Sequence, residues 1–336
     1  MKKILTLMTA IATLFATSCV KENGSVSVNG NEAEVTLSAS LPEFTRATGD
    51  GTTAKKLYYA VYDDQWKFLK DGTSDFNADL KATVRMRLVN NKVYNFVFWA
   101  QVEGNTFYTI NWDEAAASNA VPTVTVSYGS AANDEKRDAF FGQCLNLLVN
   151  GAIADEVVYL KRPFAQVNFG ADYDEVAEAQ VGGFDVTTGA GATVSFAVEA
   201  YDKLSLKDGE VLGTTTTVNF TAAPLMNDLT GETLVAKVGE TTDPQTGEVV
   251  AVTNNYHWVS MNYLLWRAEE GTLTTNTATV TTASGKVVDV KAPQAPVRRN
   301  WRTNVVGRLF TDPVEFIVEI QPGFDNEYTE VLPDRQ

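Results

Sequence analysis

An all-β chain built as two tandem β-sandwich domains, with one short helix, is what this 336-residue sequence predicts. Short runs alternate apolar with polar residues, the period of a strand with one buried face. Clusters of Gly, Asn and Asp punctuate those runs at turn-like intervals. With 44% hydrophobic residues, the length suffices for two cores of ordinary size.

The front of the chain reads as an export leader. Lys2 and Lys3 precede an apolar run over residues 4–15, and small residues Ala16, Thr17 and Ser18 then lead to Cys19. The run is too short for a permanent membrane helix, and its flanks match a cleaved signal over residues 1–18. Small residues before a cysteine resemble a lipobox, which makes Cys19 the acylated N-terminus and the outer membrane a partner through that lipid. Lys21 and Glu22 resemble a short tag for export to the cell surface, and residues 21–34 are a polar tether.

The first strand is expected over residues 35–41. Val35, Leu37, Ala39 and Leu41 share one face, and Thr36, Ser38 and Ser40 the other. Arg46 follows in a stretch of Thr, Gly, Ala and Asp without hydrophobic period, an exposed and mobile segment on this reading. A cut by a trypsin-like protease between Arg46 and Ala47 would release everything before it. Residues 19–46 are thus a tether plus a removable strand, and its loss leaves a groove that asks for a replacement strand.

Further strands are expected over residues 57–62, 66–69, 82–88, 93–100 and 122–128. In the third of these, Val84, Met86 and Leu88 face inward while Arg85 and Arg87 form a solvated face. Residues 93–100, dense in aromatics, predict a central strand. Residues 133–142 read as a charged surface turn that returns Phe140 and Phe141 to the core. The first sandwich is expected over residues 47–153, with the boundary where Asn150 and Gly151 interrupt the pattern, and the second over residues 154–336; a boundary near Gly182 and Gly183 is the alternative.

In the second half, Pro163 marks an edge or bulge within residues 156–170, and residues 172–180 suit the short helix. Strands follow over 184–186, 192–201 and 214–222, then a hairpin tip over 240–248 and a buried strand over 256–266. Core packing is preferred there to a sugar-stacking surface of Trp258, Tyr263 and Trp266. Residues 272–280 and 286–290 form a hairpin, 293–296 an extended connection, and 300–310 lead to a last strand over 314–320. In that strand Val314, Phe316, Val318 and Ile320 share a face.

Composition narrows the function. A net charge of -15 repels phosphate backbones, so no nucleic-acid partner is expected. With Cys19 lipidated, Cys144 is left alone and reads as a small buried hydrophobe, without a thiolate metal cluster. The single histidine, His257, sits between apolar neighbours as a packed strand residue. No nucleophile motif or metal-ligand spacing accompanies it, so no enzyme activity, cofactor or metal is expected.

Taken in order, the lipobox at Cys19, VTLSASLP followed by FTRATGDG with Arg46, KKLYYAVYD, LKRPFAQVNF, and the closing WRTNVVGRLFT with VEFIVEIQPGFDNEY span nearly the whole chain. Together they resemble the fimbrillin family, the subunits of type V pili in Bacteroidota. The form of LKRPFAQVNF, with Pro163, is similar to a fimbrillin-like group without assigned function. The resemblance implies a surface lipoprotein of two transthyretin-like sandwiches. It also implies cleavage of Arg46–Ala47 by an arginine-specific surface protease. Other fimbrillin subunits, identical or paralogous, are the implied partners. The emptied groove of one subunit would take a strand from residues 314–328 of the next, with Val314, Phe316, Val318 and Ile320 facing in.

Overall fold

The computed structural model describes residues 31–42, 52–112, 121–129, 133–172, 193–222, 234–273, 275–281, 287–290, 295–308, 316–322 and 330–331. The first half contains β1 (Glu32–Ser40), β2 (Lys56–Asp63), β3 (Phe68–Asp75), β4 (Lys81–Val89), β5 (Lys92–Gln101), β6 (Tyr108–Asn111) and β7 (Thr123–Val126). A 3-10 turn at Glu135–Arg137 precedes β8 (Phe140–Val149), β9 (Ile153–Tyr159) and β10 (Phe164–Asp172). After them come β11 (Thr193–Ala200), β12 (Lys203–Ser205), β13 (Val211–Leu212), β14 (Thr216–Ala222), β15 (Leu234–Thr242), β16 (Val249–Leu265) and β17 (Gly271–Leu273). The chain closes with β18 (Thr275–Thr281), β19 (Val287–Val290), β20 (Ala295–Val297), β21 (Trp301–Gly307), β22 (Phe316–Pro322) and β23 (Glu330–Val331). The protein is therefore all-β, as expected. The expected helix lies outside the described residues beyond Asp172, which ends β10.

Two sheets form the first sandwich, one in the order β4-β1-β9 and the other β3-β2-β5-β8. Between them Val35, Leu37, Val84, Phe96, Phe98, Phe140 and Cys144 make one apolar core. The second sheet is buried on its outer face as well. Ala60, Tyr62, Val97 and Trp99 point the other way, into a second core. There Trp99 meets Tyr108 with ring centroids 5.2 Å apart and Phe164 at 6.4 Å. Burial on both sides explains why residues 96–100 are an unbroken apolar run instead of an alternation. β4, open to solvent on one face, alternates without a fault.

The second core also holds the second sandwich. Its larger sheet runs β15-β16-β10-β21-β22-β23, and β14-β11-β18-β19 packs across it. Phe169 of β10 touches Phe196 of β11 at 5.1 Å between centroids, and Phe196 stacks on Phe220 of β14 at 5.2 Å. β12 crosses back to pair with β7 in the sheet β13-β12-β7-β6, so the halves interlock.

Four expectations are corrected. Asn150 and Gly151 are a turn inside the first sandwich: β9 follows them and pairs in parallel with β1, from Val35 opposite Ile153 to Ser40 opposite Tyr159. A glycine turn between two sheets looks in sequence like a linker between domains. Pro163 is likewise no bulge; it stands between β9 and β10, which belong to different sheets. Trp66 is in the turn before β3, with φ 62°, and the polar β3 escapes a hydrophobic pattern. The charged run 133–142 is largely inside: Arg137 is 5% exposed and Asp138 1%. Asp138 binds the Arg162 guanidinium in bidentate fashion, at 2.5 Å to Nε and 2.6 Å to Nη2.

Candidate functional site

β1 is the middle strand of its sheet. On one side it runs antiparallel to β4 through nine register pairs, from Glu32 opposite Val89 to Ser40 opposite Lys81. On the other it runs parallel to β9. The ladder continues at its end, where the Leu41 N–H donates to the Leu80 carbonyl at 3.0 Å and the Leu160 N–H to the Ser40 carbonyl at 2.9 Å.

The sequence alternation places the side chains of β1. Val35, Leu37 and Ala39 are fully buried and Leu41 is 3% exposed. All four enter the first core with Leu57, Val61, Phe96 and Phe98. On the opposite face the Ser38 hydroxyl donates to the Asp155 carboxylate at 2.8 Å. Burying four such side chains stabilises the fold by about 1.5–3 kcal/mol each, Ala39 less. Taking β1 out would open a slot between β4 and β9, apolar along its floor and walled by two rows of unpaired backbone groups.

β1 connects forward to β2, which lies in the facing sheet. Arg46 and Ala47 fall in that crossing, and they and Cys19 lie outside the described residues. Of the expected donor strand, Val314 is outside them too, while Phe316, Val318 and Ile320 lie in β22. β22 pairs antiparallel with β21, from Gly307 opposite Phe316 to Trp301 opposite Pro322. Among the described residues its other neighbour is only the two-residue β23. Here β22 closes its own sheet.

The aromatic run of β16 faces inward. Trp258 and Tyr263 are 1% exposed and Trp266 4%, so the three do not form a stacking surface for sugars. His257, paired with Ala171 in the ladder, is half-buried, and burial holds its imidazole below the ordinary value against the weaker pull of the Asp172 carboxylate. Cys144 is fully buried in the first core. Among the described residues no group of three or more His, Cys, Asp or Glu is placed to hold a metal ion, and no helix is long and apolar enough to cross a membrane.

What sequence reading missed is a cleft of about 270 Å³ where β8 and the end of β9 face the segment leading into β21. It is lined by Tyr159, Lys161, Asp208, Glu210, Arg298 and Arg299, among others. The Arg298-Arg299 pair was a visible signal, but nothing local tells which distant carboxylates and rings it meets.

This chain is similar to several solved structures at low identity. A fimbrial assembly protein from Parabacteroides distasonis matches with a TM-score of 0.44 and 12% identity, over 89% of this chain and 99% of that one. The fimbrial anchor protein Mfa2 from Porphyromonas gingivalis matches with a TM-score of 0.43 and 9% identity, over 86% and 97%. The tip fimbrial protein Mfa3 from the same organism, with a C-terminal truncation, matches with a TM-score of 0.41 and 11% identity, over 86% and 99%. No curated protein matches the sequence. Residues 25–333 match one family model, and by that match over nearly the full length the chain belongs to the family of unknown function DUF6562.

Proposed function

We propose that this chain is a structural subunit of a cell-surface fimbria, exported as a lipoprotein through Cys19 and assembled by donor-strand exchange after cleavage of Arg46–Ala47. The observation that carries the reading is β1. It is the first strand of the described chain, it occupies the centre of its sheet, and four of its side chains fill the first core. Among the described strands, the crossing that contains Arg46 is what links β1 along the chain to the others.

While that crossing is intact, β1 competes for its slot as a tethered, intramolecular ligand and outmatches any free strand. Cutting it leaves β1 held by its ladders and apolar contacts alone. The tail of another subunit can then compete. Val314, Phe316, Val318 and Ile320 repeat the two-residue spacing of Val35, Leu37, Ala39 and Leu41, with bulkier groups at the second and third positions. β22 suits donation because it lies near the end of its sheet, with β21 as its one substantial neighbour among the described residues. Each such joint is heterologous, so subunits add head to tail into an open filament. The arginine-specific protease, neighbouring subunits and the outer membrane are the partners this scheme requires.

The test is the N-terminus of the protein as it sits on the cell. Assembled material should begin at Ala47, and Arg46→Ala should leave a monomeric lipidated precursor. Filaments whose subunits still carry residues 31–42 would overturn the proposal.

A further inference from the structure

We propose that the cleft between β8, the end of β9 and the approach to β21 binds a carboxylate-bearing sugar residue of an acidic glycan. None of its lining residues belongs to β1, and its one link to that strand is the ladder pairing of Tyr159 with Ser40.

Two guanidinium groups define it. Arg299 is pinned by its Nε–H, which donates to the Trp266 carbonyl at 3.0 Å, and it lies over the Phe141 ring at 5.8 Å from the centroid. Its Nη2 is buried and finds no hydrogen-bond partner among the described residues. Arg298 donates from Nε to the Ala268 carbonyl at 2.7 Å and stacks over Trp301 at 5.3 Å. Among the described residues neither arginine makes an ion pair with a carboxylate within 4.0 Å. In a chain of net charge -15 a pair of cations held in this way marks a place for an anion.

The remaining lining decides which anion. Asp208 and Glu210 share the cleft, and their charge opposes a dianionic phosphate more strongly than a single carboxylate. Carboxylates are also acceptors for sugar hydroxyls, and Asn300 beside them offers an amide for the same purpose. Tyr159 contributes a ring that is 66% exposed, a platform for the apolar face of a pyranose. A volume of about 270 Å³ is room for one ring residue of a chain, the rest running out over the surface.

Calorimetric titration of the purified full chain tests this, with D-glucuronate as probe. D-glucose serves as the neutral control, D-glucose 6-phosphate as the phosphate arm, and a synthetic peptide of residues 314–328 as the protein arm. Saturable heat with glucuronate and none with glucose is the expected result. Arg298→Ala and Tyr159→Ala, both at exposed positions, should each weaken binding by about tenfold or more with an unchanged melting temperature. Arg299→Gln should do the same, and if it fails to fold the two surface variants decide. Glucuronate binding that is absent, matched by glucose, exceeded by the phosphate or the peptide, or unchanged in the surface variants would overturn the proposal.

Discussion

Arg162 donates two hydrogen bonds to Asp138 where the first sandwich hands the chain to the second, both residues 1% exposed, and its guanidinium lies 4.8 Å from the centroid of the Phe140 ring. Removing one partner of such a pair strands a charge in a dry site, and that loss exceeds whatever the intact pair contributes. Asp138→Ala should therefore lower unfolding free energy by about 3–5 kcal/mol, measured by urea denaturation. A loss below about 1 kcal/mol would mean that the pair is solvated. Gly142 illustrates a different constraint. A Cβ there would stand 2.5 Å from Leu160 Cδ2 and 3.1 Å from Val158 Cγ1, so Gly142→Ala should push β9 away from β8 and lower the melting temperature. Neither feature was legible locally. NDEKRD reads as solvated charge, and Gly142 as a turn residue beside an aromatic pair, because their partners lie about twenty residues further along, in β9 and the connection after it.

At the scale of the element, β1 sets the central prediction. Leu37 is fully buried in the first core. Leu37→Ala should destabilise the uncleaved precursor by about 2–5 kcal/mol. The same substitution should leave assembled filaments as stable as before, because on the strand-exchange model β1 has left them. Melting of both forms reads the difference, and an equal loss in both would mean that β1 stays in place. The sequence declared β1, β4, β5 and β16 plainly. Their periods are strong: β4 alternates from Lys81 to Leu88, and β16 ends in an apolar run that pairs with β10, its earlier half pairing with β15. β3 was caught only at its first two residues because it is polar, and β6, β12 and β13 were missed because they are short, two to four residues each. Such strands exist because a neighbour's edge is there to pair with.

Across the whole molecule, the second core ties the halves together through a group of buried phenols. Burial pushes the hydroxyls of Tyr108, Tyr128 and Tyr263 above their ordinary value of 10.0. Tyr128 donates to the Tyr201 carbonyl at 2.5 Å and accepts from the Leu265 N–H at 2.8 Å, while Tyr108 donates to the Arg137 carbonyl. An unfolded chain releases these protons near pH 10 and the folded one keeps them. Stability is then intact below pH 10 and falls as pH rises above it. Phenolate absorbance should show these three ionising only together with cooperative alkaline unfolding. Ionisation near pH 10 in folded protein would show that water reaches this core.

By itself the sequence determined which faces of most strands are apolar, since a period of two is a local property of a pleated chain. It also determined the acidic surface and the residue spacing that matches β1 to the tail. Only the tertiary structure decided that β1 lies between β4 and β9, that one sheet is buried on both sides, and that Asp138 and Arg162 meet out of water. Those outcomes depend on which segments, distant along the chain, come to share a core, and neither period nor propensity encodes that choice of partner.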